Sequence, residues 1–283
     1  MAFKPSFKQA TNNGPREDIK WPTPEAGNQP ARISLIVDLG TQERPDFEEK
    51  DGTLKPQKPC RQLAAYADLV DNIVDYGGSI GEQPYRIALH KSFKGEITGI
   101  NFTAVPPRDA DGKTIAGKLW TFHPANLLTK LAKATGQTQI LGESEEDNMD
   151  VEQLLDKPFF IDVDVVTTEK DGKEYTNVKI KGYGSVPKIK GVPMDVEELK
   201  HPARVVSFET ATEDDIKFLR RDVVAKLKLA PEYAGSKLEK LLEAAEKEKP
   251  AASLPKAAKT PPKASKTAQE PPFEPDAEDD IPY

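Results

Sequence analysis

Apolar and polar residues alternate along several segments of the chain, and this alternation restricts the fold more than any other property of the sequence. Successive side chains of a β-strand point to opposite sides of the sheet, so a period of two predicts strands with one buried face. The alternating apolar positions are Ile33, Leu35, Val37 and Leu39, then Phe159, Ile161, Val163 and Val165, then Val178 and Ile180. Lys170-Asp171-Gly172-Lys173 is typical of a tight turn, so the last two rows predict an antiparallel hairpin.

The order of the remaining segments predicts the fold class. Residues 61–75 fit either a strand or a helix; we predict a strand, since strands flank this segment and Gly77-Gly78 is typical of a turn. Further strands are predicted over residues 85–93, 97–102 and 119–122, and helices over 125–134, 213–229 and 236–249. The chain is therefore predicted to be mainly β, an OB-like barrel with one helix inserted between strands and with C-terminal helices.

Charge and proline content divide the chain into segments. The formal net charge is −7, but six acids and no base lie in residues 270–283, whereas five lysines and no acid lie in residues 249–269. The predicted segments are an extended arm (1–30), an OB-like domain (31–210), a helical extension (211–248), a flexible Lys/Pro/Ala linker (249–269) and a disordered acidic tail (270–283). Any surface that binds phosphates must then be a local basic strip.

The sequence offers no catalytic or metal-binding motif. Its three histidines show no ligand spacing, and the single cysteine, Cys60, excludes an internal disulfide and any cysteine-based zinc site. Asp162 and Asp164 are two residues apart on one strand, which is interpreted as an ordinary polar strand face rather than part of a two-metal site. We therefore expect a protein that is not an enzyme and that needs no cofactor or metal, in a reducing cytoplasm and away from membranes.

Two strands carry polar rows suited to nucleic acid. On the return strand of the hairpin, a period of two places Tyr175, Asn177, Lys179, Lys181 and Tyr183 on the face opposite to the apolar row. The 85–93 strand offers a second outward basic row of Arg86, His90 and, beyond its end, Lys94. Lysines neutralise phosphates and aromatic rings stack on bases of any sequence, so these rows are the predicted DNA-binding residues.

The last residues carry a more specific pattern, formed by Asp276, Glu278, Asp279, Asp280, Ile281, Pro282 and Tyr283. This ending resembles the acidic tip of bacterial single-stranded DNA-binding proteins, which commonly reads Asp-Asp-Asp-Ile-Pro-Phe, with tyrosine here in place of phenylalanine. The long loops, the hairpin and the helical segment after the barrel are more similar to bacteriophage proteins of this type. An apolar pocket, an arginine and a basic rim on a partner would accommodate such a tip.

The resemblance implies a sequence-nonspecific single-stranded DNA-binding protein of phage replication, recombination and repair, acting in the cytoplasm of the bacterial host. The tail would then recruit phage or host polymerase, helicase or nuclease. Two alternatives remain open: a replisome adaptor whose barrel binds protein, and a nuclease or annealing protein that bears the same tail. The sequence leaves the oligomeric state open between monomer and dimer.

Overall fold

The computed structural model describes residues 22–49, 51–76, 81–93, 96–102, 104–105, 111, 113, 121–122, 125–141, 150–170 and 173–247. The strands are β1 Gly27–Gln42, β2 Phe47–Glu48, β3 Leu54–Lys55, β4 Cys60–Asp75, β5 Glu82–Ala88, β6 Lys91–Phe93, β7 Glu96–Thr98, β8 Ile100–Asn101, β9 Ala104–Val105, β10 Thr121–Phe122, β11 Pro158–Lys170, β12 Lys173–Gly184, β13 Lys188–Ile189, β14 Val192–Pro193 and β15 Arg204–Val206. The helices are α1 Leu127–Thr135, α2 Arg221–Leu227 and α3 Lys237–Lys247, with 3₁₀ turns over Thr138–Leu141, Val151–Leu154, Asp215–Phe218 and Pro231–Tyr233.

The main sheet has the order β12-β11-β1-β4-β5, with neighbours antiparallel along this path; β15 pairs parallel with β1, and β8 antiparallel with β4. The mainly β prediction is confirmed, and so is the strand predicted over 61–75, which is β4. The described strands leave β12 and β5 at open edges and do not close a barrel. β1 begins at Gly27, so the last four residues assigned to the arm belong to the sheet.

One face of the sheet, the inner face, packs against α1 and two 3₁₀ turns. Ile33, Leu69 and Phe159 are fully buried there, together with Leu131 of α1. Helix α1 begins where Asn126 accepts a hydrogen bond from the backbone N–H of Leu128 and ends at the left-handed Gly136. The helix predicted over 125–134 is thus confirmed, two residues shorter at its start.

The other face, the outer face, carries a second core that the sequence did not reveal. Leu35, Val37 and Leu39 pack there against the C-terminal residues Leu227 and Leu238. A β-bulge at Ser34 shifts the alternation of β1, so that Ile33 points to the inner core and Leu35 to the outer one. The expectation that Ile33, Leu35, Val37 and Leu39 share one face is therefore wrong at Ile33.

The C-terminal segment, residues 207–247, is less helical than the sequence predicts. The helix expected over 213–229 is a 3₁₀ turn and the short α2, separated where Leu219 and Arg220 adopt extended backbone angles. Asp215 accepts hydrogen bonds from the backbone N–H and the hydroxyl of Thr212 and pairs with Arg204 at 3.0 Å. These contacts hold the 3₁₀ turn against the sheet. The second predicted helix, over 236–249, is α3 over Lys237–Lys247.

Residues 186–199 cover another part of the outer face. Val196 packs on Phe160 of β11 and Val70 of β4, with Val186 and Leu199 at the margin of this small cluster. Arg32 of β1 holds this segment on the sheet, because its guanidinium donates to the carbonyl oxygens of Val196 and Glu197 at 2.8 and 2.6 Å. The hairpin of β13 and β14 lies within this covering segment.

Candidate nucleic-acid interface

The outer face of the β11–β12 hairpin presents the predicted row. Cross-strand pairs place Tyr175 beside Thr168, Asn177 beside Val166 and Lys179 beside Asp164. Tyr175 is 50% exposed, and Asn177, Lys179 and Lys181 are exposed as well. Val178 and Ile180 face the inner core, as the alternation predicts. We call the exposed set Tyr175, Asn177, Lys179 and Lys181 the β12 row.

The β12 row is exposed because the described segments that cover the outer face pack over other strands. The C-terminal segment packs over β1 and β4, and residues 186–199 pack over Phe160 at the beginning of β11. Beyond Phe160, the outer face of β11 continues with the half-buried Asp162 and Asp164 and reaches the β12 row. An extended strand of nucleic acid can therefore lie along this face.

Two carboxylates share the face with the lysines. The Nζ atom of Lys181 lies 3.3 Å from Oδ2 of Asp164, and both side chains are partly exposed to solvent. Pairs of this kind contribute about 0–1 kcal/mol, because water screens them, so a phosphate can displace the aspartate at low cost. The sequence contained this information: if Lys170 pairs with Lys173, as a tight turn requires, Asp164 faces Lys179.

Tyr183 does not belong to the exposed row. The register of β12 shifts at Lys181, which is the extra residue between the pairs Val163–Ile180 and Asp162–Gly182. The bulge reverses the alternation, so Tyr183 points inward and lies 6.4 Å from Phe159, measured between ring centroids. Burial raises the pKa of the Tyr183 hydroxyl to about 12. Its predicted outward orientation is wrong, because period-two counting cannot anticipate a bulge.

The second predicted row is not an exposed basic surface. Strand β5 ends at Ala88, and His90 lies in a break before β6, 7% exposed. Its Nδ1 atom is 3.2 Å from the carbonyl oxygen of Ala65, and the centroid of its ring lies 4.9 Å from that of Tyr66 in a T-shaped arrangement. Burial lowers the pKa of His90, which favours the neutral imidazole. The outward orientation expected for His90 is therefore wrong.

Arg86 is engaged in a buried ion pair. Its guanidinium contacts both carboxylate oxygens of Asp68, at 2.7 and 3.1 Å, and lies 5.9 Å from the ring centre of Phe218. Asp68 is buried and also accepts a hydrogen bond from Ser34 at 2.7 Å. This arrangement joins β4, β5 and the C-terminal segment, so the charge of Arg86 is already neutralised. Lys94, the third member of the row, lies outside the described residues.

The predicted partner-binding tail also lies outside the described residues, and so does the linker before it. That holds for Asp276, Glu278, Asp279, Asp280, Ile281, Pro282 and Tyr283. The tail and linker therefore remain sequence predictions.

A cavity of about 230 Å³ lies at the other end of β1 and β4. Its lining includes the apolar side chains of Leu63 and Phe102 and the carboxylates of Asp38, Asp150 and Glu152. The guanidinium of Arg61, which also lines the cavity, is paired with Asp38 at 3.0 Å and 2.5 Å. Because Asp38 already neutralises Arg61, the carboxylates of Asp150 and Glu152 leave an excess negative charge that makes this cavity unfavourable for phosphates.

The structure shows one exposed hairpin for which the sequence analysis predicts no strand. The short β13–β14 hairpin presents Ile189 and Val192, which are 63% and 67% exposed. The signal was present in the sequence, since Lys190-Gly191 between two β-branched residues is compatible with a two-residue turn.

Within the described ranges, no three histidine, cysteine, aspartate or glutamate side chains come together in a way that could hold a metal ion. Nor does that part of the chain contain a helix with the length and apolar character needed to cross a bilayer. Comparison with protein-family models, with curated proteins and with solved structures gave no match to this chain.

Proposed function

We propose that this protein binds single-stranded DNA without sequence preference through the β12 row. The observation that supports this proposal is the exposure, among the described residues, of one strand face that carries Tyr175, Asn177 and two lysines in succession. A tyrosine ring can stack on any base, while lysines neutralise phosphates along the same strand. The overall acidity of the chain does not oppose this role, because the local charge of the face decides contact with phosphates.

The ion pair between Lys181 and Asp164 must break when Lys181 binds a phosphate, and the number of phosphates bound sets how strongly the affinity for DNA depends on salt. Binding transfers Lys181 from a partly exposed carboxylate to a phosphate and leaves Asp164 to water. Each phosphate neutralised on a single strand contributes about −0.7 to the slope of log K against log salt. The two lysines of the row should together account for about −1.4 of that slope.

We extend the proposal to the fold and the biological setting. The five-strand path, with α1 preceding the β11–β12 hairpin, suits an OB-like fold. The acidic ending then serves to recruit polymerase, helicase or nuclease to coated single strands. This part rests on the resemblance of residues 276–283 to single-stranded DNA-binding proteins, and it places the protein in phage replication, recombination and repair in the cytoplasm of the bacterial host.

A titration with oligo-dT at several salt concentrations tests the central proposal. The wild-type protein should bind tightly at low salt, with a clearly negative log–log slope. The variant Lys179→Ala/Lys181→Ala should bind more weakly and show a flatter slope. A matched control is Lys237→Ala/Lys240→Ala, which removes two exposed lysines from α3. Equal losses in both variants would indicate a diffuse charge effect and remove the β12 row from the site.

One observation favours a second candidate, a replisome adaptor that binds protein. Asp162 and Asp164 alternate with the lysines across the hairpin, and such a mixed face also suits a protein surface of complementary charge. An adaptor would show little affinity for oligo-dT while the tail still retained partner proteins. Loss of the oligonucleotide in the presence of magnesium would instead indicate a nuclease.

A further inference from the structure

The β13–β14 hairpin exposes apolar side chains beside basic ones. Ile189 and Val192 are cross-strand partners, so they lie on the same side of the hairpin and form one apolar surface. Lys190 lies in the turn at the tip, whereas Lys188, one residue before Ile189, points to the opposite side of the hairpin. Neither lysine forms an ion pair with another described residue. The combination suits a partner that has both negative charge and flat apolar surface, which are the properties of a nucleic acid.

The hairpin is held in place at its root. The backbone N–H of Met194 donates to the carbonyl oxygen of Pro187 at 2.8 Å, which closes the hairpin. At its tip, Lys190 and Gly191 both have positive φ angles, 51° and 84°, as a two-residue type I′ turn requires. Below the root, Val196 packs on Phe160, and Arg32 binds the backbone of residues 196 and 197. The tip of the hairpin is therefore exposed, while its root is held rigidly against the sheet.

The root lies on the same face of the sheet as the β12 row. Phe160, which the root covers, and Asp164, which pairs with Lys181, both point to the outer face of β11. The chain leaves β12 three residues after Lys181 and enters the hairpin at Lys188. A strand of DNA that follows the row towards Lys181 therefore approaches the hairpin.

We propose that the β13–β14 hairpin is a wedge that separates duplex DNA where the duplex meets the single strand bound along the β12 row. This inference rests on the proposed function and adds a duplex junction to its substrates. Ile189 and Val192 contact the last base pair, and Lys190 contacts the phosphates beside it. Proteins that kink or open duplexes insert isoleucine, leucine, methionine or proline side chains between bases in a comparable way.

The test uses the full chain and a DNA hairpin with an oligo-dT tail, labelled so that fluorescence rises when the stem opens. The wedge variant is Ile189→Thr/Val192→Thr, which keeps β-branched side chains and so preserves the strand conformation. The control is Leu54→Thr, which removes a 61%-exposed apolar side chain from the separate β2–β3 hairpin. Binding to oligo-dT alone and the molecular mass in solution are measured for every variant.

The proposal predicts that the wedge variant keeps the wild-type affinity for oligo-dT but needs about five-fold more protein to open the stem, as expected when one base step loses its apolar contact. The Leu54 control should open the stem like the wild type.

Unchanged opening by the wedge variant would overturn the wedge alone. An equal loss of oligo-dT binding would overturn it too, by making the hairpin part of the row. A lower mass of the variant would assign the tip to a second copy of the chain. Failure of the wild type to bind oligo-dT would overturn the proposed function and the wedge together.

Discussion

Basic residues near the two edges of one sheet face differ in burial: one is covered by a later segment of the chain and the other is exposed to solvent. Near the β5 edge, Arg86 is held by the buried Asp68 and lies beneath Phe218 of the C-terminal segment. At the β12 edge, Lys181 faces solvent and touches Asp164, whose side chain is 31% exposed. Both edges have a lysine or arginine opposite an aspartate. They differ in whether a later part of the chain covers the pair.

The comparison shows that coverage, rather than residue type, separates a charge that is held in the core from one that remains exposed to solvent. A buried carboxylate needs a partner that stays in place, because an unpaired buried charge is costly. A solvent-exposed aspartate does not, so its lysine is free to exchange partners. The β12 edge therefore keeps the exposed lysines to which we propose that DNA binds.

The largest expected effect comes from breaking the covered pair. Arg86→Met should lower the free energy of unfolding by about 3 kcal/mol, because it leaves Asp68 buried without its cation. Lys181→Met should lower it by less than about 1 kcal/mol. Denaturant unfolding of both variants measures the difference. Equal effects would contradict the distinction between the two edges.

The next largest effect concerns the two tyrosines of β12. Tyr175→Ala should weaken binding to oligo-dT by about 1–3 kcal/mol, the range for loss of one stacked base. Tyr183→Phe should leave binding unchanged, because that ring is packed against Phe159. Fluorescence anisotropy with labelled oligo-dT compares them. Weaker binding by Tyr183→Phe alone would show that the bulge does not separate the two residues.

A smaller effect should follow removal of the aspartate at the exposed edge. Asp164→Asn keeps the shape of the side chain but releases Lys181 and removes a charge that repels phosphate. Affinity for oligo-dT at low salt should rise by up to about 1 kcal/mol, and the gain should shrink as salt screens the charges. Titration at two salt concentrations checks this. A decrease in affinity would mean that Asp164 positions Lys181 for binding.

The smallest effect is a pH dependence at the covered edge. Burial lowers the pKa of His90 from 6.5, so the unfolded chain takes up a proton on this imidazole more readily than the folded protein does. Neutral His90 contributes its full stability above the pKa that this imidazole has in the unfolded chain. That stability is lost as the pH falls towards the lower pKa of His90 in the folded protein. His90→Gln should flatten the pH dependence of unfolding in this range. An unchanged profile would show that His90 does not titrate on unfolding.

The sequence predicts the local features of the fold well, since they depend on neighbouring residues. Period-two alternation locates β1 and the β11–β12 hairpin, the flanking strands and turn locate β4, and an apolar stripe locates α1. The exposure of Tyr175 and Lys179 follows from the same alternation, which holds up to the bulge. One tight turn would even have given the register that sets Asp164 opposite Lys179.

The sequence could not predict features that depend on bulges or on distant segments. The bulges at Ser34 and Lys181 change the direction of the side chains that follow them, which moves Leu35 to the outer core and Tyr183 to the inner one. The burial of His90 and the pairing of Arg86 depend on tertiary contacts, including those of the C-terminal segment with the outer face. Neither cause leaves a periodic signal in the sequence.

Photochemical cross-linking of oligo-dT, followed by tryptic digestion and mass spectrometry, identifies the strand face that holds the DNA. Cleavage after Lys173, Lys179, Lys181 and Lys188 separates the peptide 174–179, which contains Tyr175, from the peptide 182–188, which contains Tyr183. We expect an adduct on the first peptide and none on the second, and unlabelled oligo-dT should compete this adduct away. Adducts confined to 182–188 or to the β5 edge would contradict binding along the β12 row.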